Sequence, residues 1–183
     1  MHHTIMSSAT SSPVRVSQQA AASLVQAVYT LEGNNQLEAG SSVEPKDASQ
    51  WYKPFGYEVH YYLIDNRNSS CFGAIFHSAD QTNPKKYVVA FRGTISTLDT
   101  GFEDWKDNFK SAFDRLVESS RFIDAVEAVE KIVGMVGPEN VCLAGHSLGA
   151  SLAMAVGRSM AKSGYHLETH LFNPPFISLP LEK

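Results

Sequence analysis

Residues 140–150 read Asn140-Val141-Cys142-Leu143-Ala144-Gly145-His146-Ser147-Leu148-Gly149-Ala150, an apolar run that ends on a serine held between two glycines. The run at residues 141–144 is typical of a parallel strand covered on both faces, and a helical pattern begins near Leu148. A serine at such a turn is forced toward a strained backbone conformation that exposes its hydroxyl, while the glycines let strand and helix pass closely. The pattern therefore predicts a nucleophile elbow at Ser147. The alternative is a Gly/Ser-rich turn that joins a strand to a helix by chance.

The composition indicates one globular domain without a surface for nucleic acid. The 183 residues are 43% hydrophobic and 19% charged, which is enough for a single sizeable core. The formal net charge is −4, and no cluster of lysine or arginine provides the positive patch that nucleic acid or an anionic membrane requires. No apolar stretch is long enough for a membrane span or for the core of a signal peptide. We therefore expect neither a nucleic-acid partner nor a transmembrane segment.

The cysteines and the N-terminal residues bear on the cellular compartment. Cys71 and Cys142 each lie in an apolar, strand-like run, which favours two small core residues over a disulfide and indicates a reducing compartment. Residues 1–13 are polar and rich in serine and threonine, so we expect a disordered tail, with an organelle transit peptide as the alternative. The sequence thus predicts an intracellular, cytoplasmic protein whose domain spans residues 14–183.

Strand and helix patterns alternate along that domain. A helical pattern covers residues 17–31, with Ser17 available as a cap and Gly33-Asn34-Asn35 expected to end the helix. Residues 58–64 and 71–77 have the pattern of an antiparallel hairpin. Further strands are expected at residues 87–91 and 167–172, and further helices at residues 109–117, 122–136 and 148–162. This order predicts an α/β fold in which helices flank a mostly parallel sheet.

An elbow serine requires hydrogen-bond donors for the oxyanion that forms when it attacks an acyl group. One donor is conventionally the N–H of the residue after the nucleophile, here Leu148, and the other comes from the loop after an earlier central strand. Gly93-Thr94 follows closely on the apolar strand at residues 87–91. Glycine allows tight backbone approach and threonine offers both an N–H and a hydroxyl, so this loop is the candidate source of the second donor.

Two motifs of the chain resemble those of class 3, fungal-type lipases, which have an α/β-hydrolase fold. The hallmarks of that family are an apolar strand that ends in an Arg-Gly-Thr/Ser loop and a Gly-His-Ser-Leu-Gly elbow. Residues 88–94, Val-Val-Ala-Phe-Arg-Gly-Thr, and residues 144–150, Ala-Gly-His-Ser-Leu-Gly-Ala, match both motifs. Residues 22–29 and 171–176 also look like a plant branch of lipase-like α/β-hydrolases that is often labelled GDSL esterase/lipase, although no Gly-Asp-Ser-Leu motif occurs here.

The resemblance implies a serine ester hydrolase that acts on an acyl ester, commonly a lipid, and that needs no cofactor or metal. In that family Ser147 would be the nucleophile, and Thr94 and Leu148 would be the oxyanion donors. The segment at residues 95–105 would be either a lid or a connector packed on the core. Three glycines and one acid would support the two loops: Gly93, Gly145, Gly149 and Asp104.

The chain departs from that family after the nucleophile. In the order nucleophile, acid, base, both partners of the serine lie downstream of it, yet no aspartate follows Ser147. His166 would begin the last strand, at the end of the sheet away from the elbow, and His170 would lie inside that strand. His146, beside the nucleophile, is expected to point away from it. The sequence therefore predicts the first half of a lipase-like domain in which neither the acid nor the base is visible.

A domain that stops after the strand at residues 167–172 would leave a hydrogen-bonding edge bare. We therefore expect self-association through that sheet edge. For the activity, serine ester hydrolysis through an acyl-Ser147 intermediate has two alternatives. One is a catalytically incomplete product that binds acyl ligands or a partner chain, and the other is an acyltransferase that uses an alcohol in place of water.

Overall fold

A computed structural model describes residues 15–38, 47–80, 86–93 and 119–175 of the chain. These residues form one five-stranded sheet with helices packed on both faces. The expectations for residues 1–13, for the segments at residues 95–105 and 109–117, and for Thr94 and Asp104 lie outside the described residues.

Within the described residues, the helices and strands follow the order that the sequence predicted, with one short additional helix before the hairpin. They are α1 (Gln18–Glu38), α2 (Ser49–Tyr52), β1 (Tyr57–Asp65), β2 (Ser70–Ser78), β3 (Tyr87–Phe91), α3 (Ser120–Val136), β4 (Val141–His146), α4 (Leu148–Lys162) and β5 (Glu168–Phe172). The predicted hairpin, central strand and strand-turn-helix unit at Ser147 are confirmed.

The two ends of α1 differ in how well the sequence predicted them. The Ser17 cap is confirmed, because its hydroxyl oxygen accepts a hydrogen bond from the Ala20 N–H at 3.1 Å. The predicted end at Gly33 is wrong, since the helix continues to Glu38. Beyond Gly33, the Asn35 side-chain amide donates to the Ser69 carbonyl in the β1–β2 turn at 2.6 Å. This tertiary contact outweighs the local stop signal of Gly33-Asn34-Asn35.

The strands lie in the sheet in their order along the chain. β1, β2 and β3 pair antiparallel, whereas β3, β4 and β5 pair parallel, so the sheet is mixed. In the parallel half, Phe91 at the end of β3 lies opposite Gly145 near the end of β4. The loop after β3 and the turn after β4 therefore leave the sheet side by side, at the edge where open α/β sheets bind ligands.

The two edge strands of the described sheet are β1 and β5. On β5, Leu171 is 36% exposed, whereas the β4 residues 141–145 are buried. Self-association through the β5 edge stays a prediction. Among the residues that the structure describes, no helix combines the length and the apolar character needed to cross a membrane.

Alternate residues of the central strands face two hydrophobic layers. Val89 and Phe91 of β3 pack with α3 and α4 on one face of the sheet. Val88 and Ala90 pack with α1 on the other face, and all four side chains are fully buried. Both cysteines belong to this second layer, where they are buried and free, which confirms that they are core residues without a disulfide.

Glycines bring α4 close to the sheet. A β-carbon placed at Gly149 would overlap the carbonyl oxygens of Phe91 and Arg92 at the end of β3, and one placed at Gly145 would overlap the Gly149 backbone. Neither position admits a side chain without a backbone shift. The Gly-x-Ser-x-Gly spacing of the sequence therefore has a steric cause in the fold.

A buried carboxylate ties the β1–β2 turn to α3. The Asp65 side chain is 1% exposed and accepts hydrogen bonds from Arg67 Nη2 at 2.9 Å and from Arg121 Nε at 2.6 Å. The hydrogen bonds from Arg67, joined by the one from Arg121, hold the pKa of Asp65 well below its usual range, although burial acts in the opposite direction. The turn and the start of α3 thus share one ionised group.

The close approach at Gly149 predicts opposite effects for two glycine substitutions. We expect Gly149→Ala to lower the free energy of unfolding by about 1–3 kcal/mol, because its methyl group must displace backbone atoms. Gly134→Ala in α3 is the matched control, since a β-carbon there meets no atom within 4 Å. It should raise the free energy of unfolding by about 0.5–1 kcal/mol through helix propensity. Urea unfolding measures both, and an unchanged Gly149→Ala stability would contradict the close approach.

The Asp65 contacts predict a pH-dependent effect of Asp65→Asn. Because folding depresses the pKa of Asp65, its contribution is fully present above the pKa of an unfolded aspartate, near 3.9, and is lost as the pH falls toward the folded value. We expect Asp65→Asn to cost about 1–2 kcal/mol at pH 7. The difference from the wild type should narrow as the pH is lowered below about 4. Urea unfolding at a series of pH values tests this, and a difference that stays constant down to pH 3 would refute it.

Candidate active site

Ser147 occupies a strained position between β4 and α4. Its φ is 54° and its ψ is −124°, a backbone conformation that residues other than glycine rarely adopt. Its N–H donates to the Phe172 carbonyl at the end of β5 at 3.0 Å, and its carbonyl accepts from the Ala150 N–H at 2.9 Å. The conformation is therefore held by β5 on one side and by the first turn of α4 on the other.

The N-terminus of α4 lies directly beside Ser147. Leu148 is the first residue of the helix, so its N–H has no helical carbonyl one turn earlier to bond with. The helix dipole also favours negative charge at this end. An anionic oxygen that forms next to Ser147 would be stabilised by both effects.

The loop after β3 packs against the same serine. A β-carbon placed at Gly93 would lie 3.0 Å from the Ser147 β-carbon and 3.0 Å from the His146 carbonyl oxygen. Only glycine allows the backbone this close without displacing the elbow. The structure thus brings together the two motifs that the sequence singled out, since Gly93 of the loop after β3 lies against Ser147 of the strand-to-helix turn.

The Arg92 side chain is buried and donates hydrogen bonds to two backbone carbonyl oxygens, one in β2 and one in the loop after β3. Its Nε donates to the Cys71 carbonyl at 2.7 Å, and its Nη1 donates to the Gly93 carbonyl at 2.6 Å. Its Nη2 lies 3.1 Å from Oε1 of Glu32 on α1. Burial lowers the pKa of Arg92 from its ordinary value, while the negative charge of Glu32 acts in the opposite direction. This guanidinium therefore joins the β3 loop to β2 and to α1.

Glu32 is the buried counterion in this network, and sequence reasoning missed it. Its side chain is 3% exposed and accepts hydrogen bonds from the Cys71 N–H at 2.6 Å and from the Ser70 hydroxyl at 3.0 Å. Burial, and secondarily the Glu32 charge, raises the pKa of the Cys71 thiol to about 11, so this thiol stays protonated and unreactive. The one available signal was an acid on the helix face that also carries the apolar residues.

Tyr29 is a second residue that sequence reasoning missed. Its hydroxyl oxygen accepts a hydrogen bond from the Gly93 N–H at 2.8 Å and lies 2.9 Å from Nδ1 of His146. The rings of Tyr29 and His146 meet edge to face, with their centroids 5.8 Å apart. Burial raises the pKa of Tyr29, so the phenol is neutral at physiological pH. The His146 ring is thus bonded to α1 and not to the Ser147 hydroxyl.

Of the two downstream histidines, His170 lies within the last strand as predicted, whereas His166 lies before the strand that it was expected to begin. His170 lies inside β5, where its Nε2 is 3.0 Å from Oε1 of Glu168, and that oxygen also accepts from the Val16 N–H at 3.1 Å. His166 precedes the strand and is exposed. Across the described parts of the chain, no histidine or carboxylate is hydrogen-bonded to the Ser147 hydroxyl.

One cluster of metal-ligating side chains occurs among the described residues. Cys142, Glu168 and His170 carry ligand atoms that all lie within 4.8 Å of one another. Glu168 and His170 bond to each other, and Glu168 also accepts a hydrogen bond from Val16. We therefore interpret the two residues as a structural pair that holds the segment before α1 against β5.

Comparison with known proteins assigns this chain to a family. A family model described as a Tle-like phospholipase domain matches residues 19–173. A protein of Arabidopsis thaliana named GDSL esterase/lipase is 35% identical over 173 residues, which cover 89% of this chain and 49% of that protein. The chain thus spans about half the length of this relative.

Comparison with solved structures finds lipases of fungi at low sequence identity and with TM-scores below 0.5. The lipase of Rhizopus microsporus var. chinensis is 16% identical with a TM-score of 0.45, over 87% of this chain and 58% of that one. The lipase of Rhizomucor miehei, in complex with its propeptide, is 12% identical with a TM-score of 0.45, over 86% of this chain and 52% of that one. Because the domain match includes both the β3 loop and the Ser147 turn, the chain belongs to the phospholipase-like family of Tle-like domains, a lipase- and esterase-like group.

Proposed function

We propose that this chain carries the nucleophile of a serine ester hydrolase that acts on acyl esters, including lipids, through an acyl-Ser147 intermediate. The observation that supports it is the left-handed φ of 54° at Ser147, in a strand-to-helix turn against which Gly93 is packed. Such a conformation costs about 1–3 kcal/mol and persists where a function needs it. A turn that only connects a strand to a helix does not require this strained conformation.

In the proposed reaction the Ser147 hydroxyl oxygen attacks the ester carbonyl carbon. The carbonyl oxygen becomes an oxyanion that accepts hydrogen bonds from the Leu148 N–H and from Thr94. Because Tyr29 already binds the Gly93 N–H, that group is not available, which favours the residue after it as the donor. Collapse of the intermediate expels the alcohol, and water then attacks the acyl carbon and releases the acid.

The proton of Ser147 must pass to a base as the new bond forms. Within the described residues no histidine or carboxylate is bonded to that hydroxyl. The base and its orienting acid are therefore proposed to lie outside these residues. The same observation favours a second candidate, in which this chain alone binds acyl ligands with little turnover.

Covalent labelling with a fluorophosphonate tests the nucleophile. We expect the probe to modify Ser147, and Ser147→Ala to abolish labelling because it removes only the hydroxyl. Ser163→Ala, at the exposed C-terminal end of α4, is the matched control and should label like the wild type. Intact mass spectrometry and peptide mapping read out the modified residue.

The rate of labelling distinguishes the two candidates. Without a bound base, we expect a rate about 10⁴-fold below that of serine hydrolases with a complete triad. Modification that persists in Ser147→Ala would show that another group is the nucleophile. No modification of the wild type, even after prolonged incubation, would leave ligand binding as the function of this chain.

A further inference from the structure

Both polar groups of the Gly93 backbone are held by side chains. The N–H donates to the Tyr29 hydroxyl oxygen at 2.8 Å, and the carbonyl accepts from Arg92 Nη1 at 2.6 Å. Arg92 is in turn paired with Glu32 at 3.1 Å. Tyr29 and Glu32 lie three residues apart on α1 and therefore on one face of that helix. A single helix face thus controls the orientation of Gly93 from both sides.

The orientation of Gly93 matters for the peptide unit that follows it. The atoms of a peptide unit lie in one plane, and in the trans form its N–H points opposite to the preceding carbonyl. By this geometry, a bond that holds a carbonyl such as that of Gly93 also constrains the peptide plane that contains the next N–H. The proposed function uses that N–H as an oxyanion donor.

The Tyr29 hydroxyl contacts two polar groups. Its oxygen accepts from the Gly93 N–H at 2.8 Å and lies 2.9 Å from Nδ1 of His146. The tautomer of His146 decides whether the hydroxyl or the ring nitrogen is the donor in the second contact. The hydroxyl also lies near the nucleophile, because a β-carbon at Gly93 would be 2.7 Å from it and 3.0 Å from the Ser147 β-carbon. The phenol therefore cannot rotate away without breaking two hydrogen bonds.

We propose that Tyr29 is a positioning residue whose hydroxyl, bonded to the Gly93 N–H and to His146, holds the β3 loop in a fixed position beside Ser147. The proposal rests on the proposed function for its consequence in catalysis. We call the contacts of the Tyr29 hydroxyl with the Gly93 N–H and with His146 the clamp. The clamp involves described residues only and can be tested independently of any activity.

The first test measures hydrogen exchange of the Gly93 amide by NMR in the full chain. In the wild type we expect this amide to exchange about 100-fold more slowly than an unprotected amide. Tyr29→Phe removes only the hydroxyl oxygen and should accelerate the exchange by about tenfold, the equivalent of one hydrogen bond. Tyr61→Phe is the matched control, because that side chain is 60% exposed on β1. Amides of residues 88–90 should exchange alike in all three proteins.

A Gly93 amide that is unprotected in the wild type would overturn the clamp, whether or not Tyr29→Phe folds. Equal protection in the wild type and in Tyr29→Phe would overturn it as well.

The second test measures fluorophosphonate labelling as a function of probe concentration. Tyr29→Phe should lower the maximal rate of modification about tenfold while the probe concentration at half-maximal rate stays unchanged, since the hydroxyl acts on loop geometry and not on probe binding. Faster Gly93 exchange with an unchanged labelling rate would show that the clamp does not position the nucleophile site and would overturn the positioning role. If the wild type is not labelled at all, the proposed function fails, and the exchange data alone decide whether the clamp exists.

Discussion

The buried ion pair between Glu32 and Arg92 connects the parts of the chain that meet at the candidate site. It joins α1 to the residue that follows the central strand, at a distance of 3.1 Å and with both side chains almost fully buried. Buried ion pairs add little net stability because desolvation offsets their attraction, but they specify one arrangement when each hydrogen-bonding group has a partner. Here Ser70 and the Cys71 backbone bind the remaining groups of the pair. The pair therefore defines where the β3 loop lies more than how stable the domain is.

The position of the site follows from the parallel half of the sheet. Since β3 and β4 run in the same direction, their carboxyl ends meet at one edge, and the glycine loop and the elbow serine leave the sheet together. An antiparallel pairing would have separated Gly93 from Ser147 by the length of a strand. The antiparallel hairpin of β1 and β2 has another role, because its turn anchors both α1 and α3.

Strain at Ser147 depends on contacts that are distant in the sequence. The serine N–H bonds to Phe172 at the end of β5, while the approach of Gly149 to Phe91 and Arg92 presses the first turn of α4 against β3. The elbow is thus supported by three strands and a helix. A local turn without these supports would relax to a common backbone conformation.

Local pattern in the sequence was sufficient for the strands, the elbow and the loop glycine. Apolar runs identify buried strands, and glycine at Gly93, Gly145 and Gly149 marks places where the backbone approaches too closely for a side chain, so each signal is contained in a few neighbouring residues. Tyr29 gave no such signal, and Glu32 gave only its position on the apolar face of α1. They reach partners 64 and 39 residues away, and an amphipathic helix pattern does not reveal which of its polar groups will be buried. The full length of α1 and the bonding of His146 likewise depend on tertiary contacts, because hydrogen bonds between distant segments form only once the layers have packed.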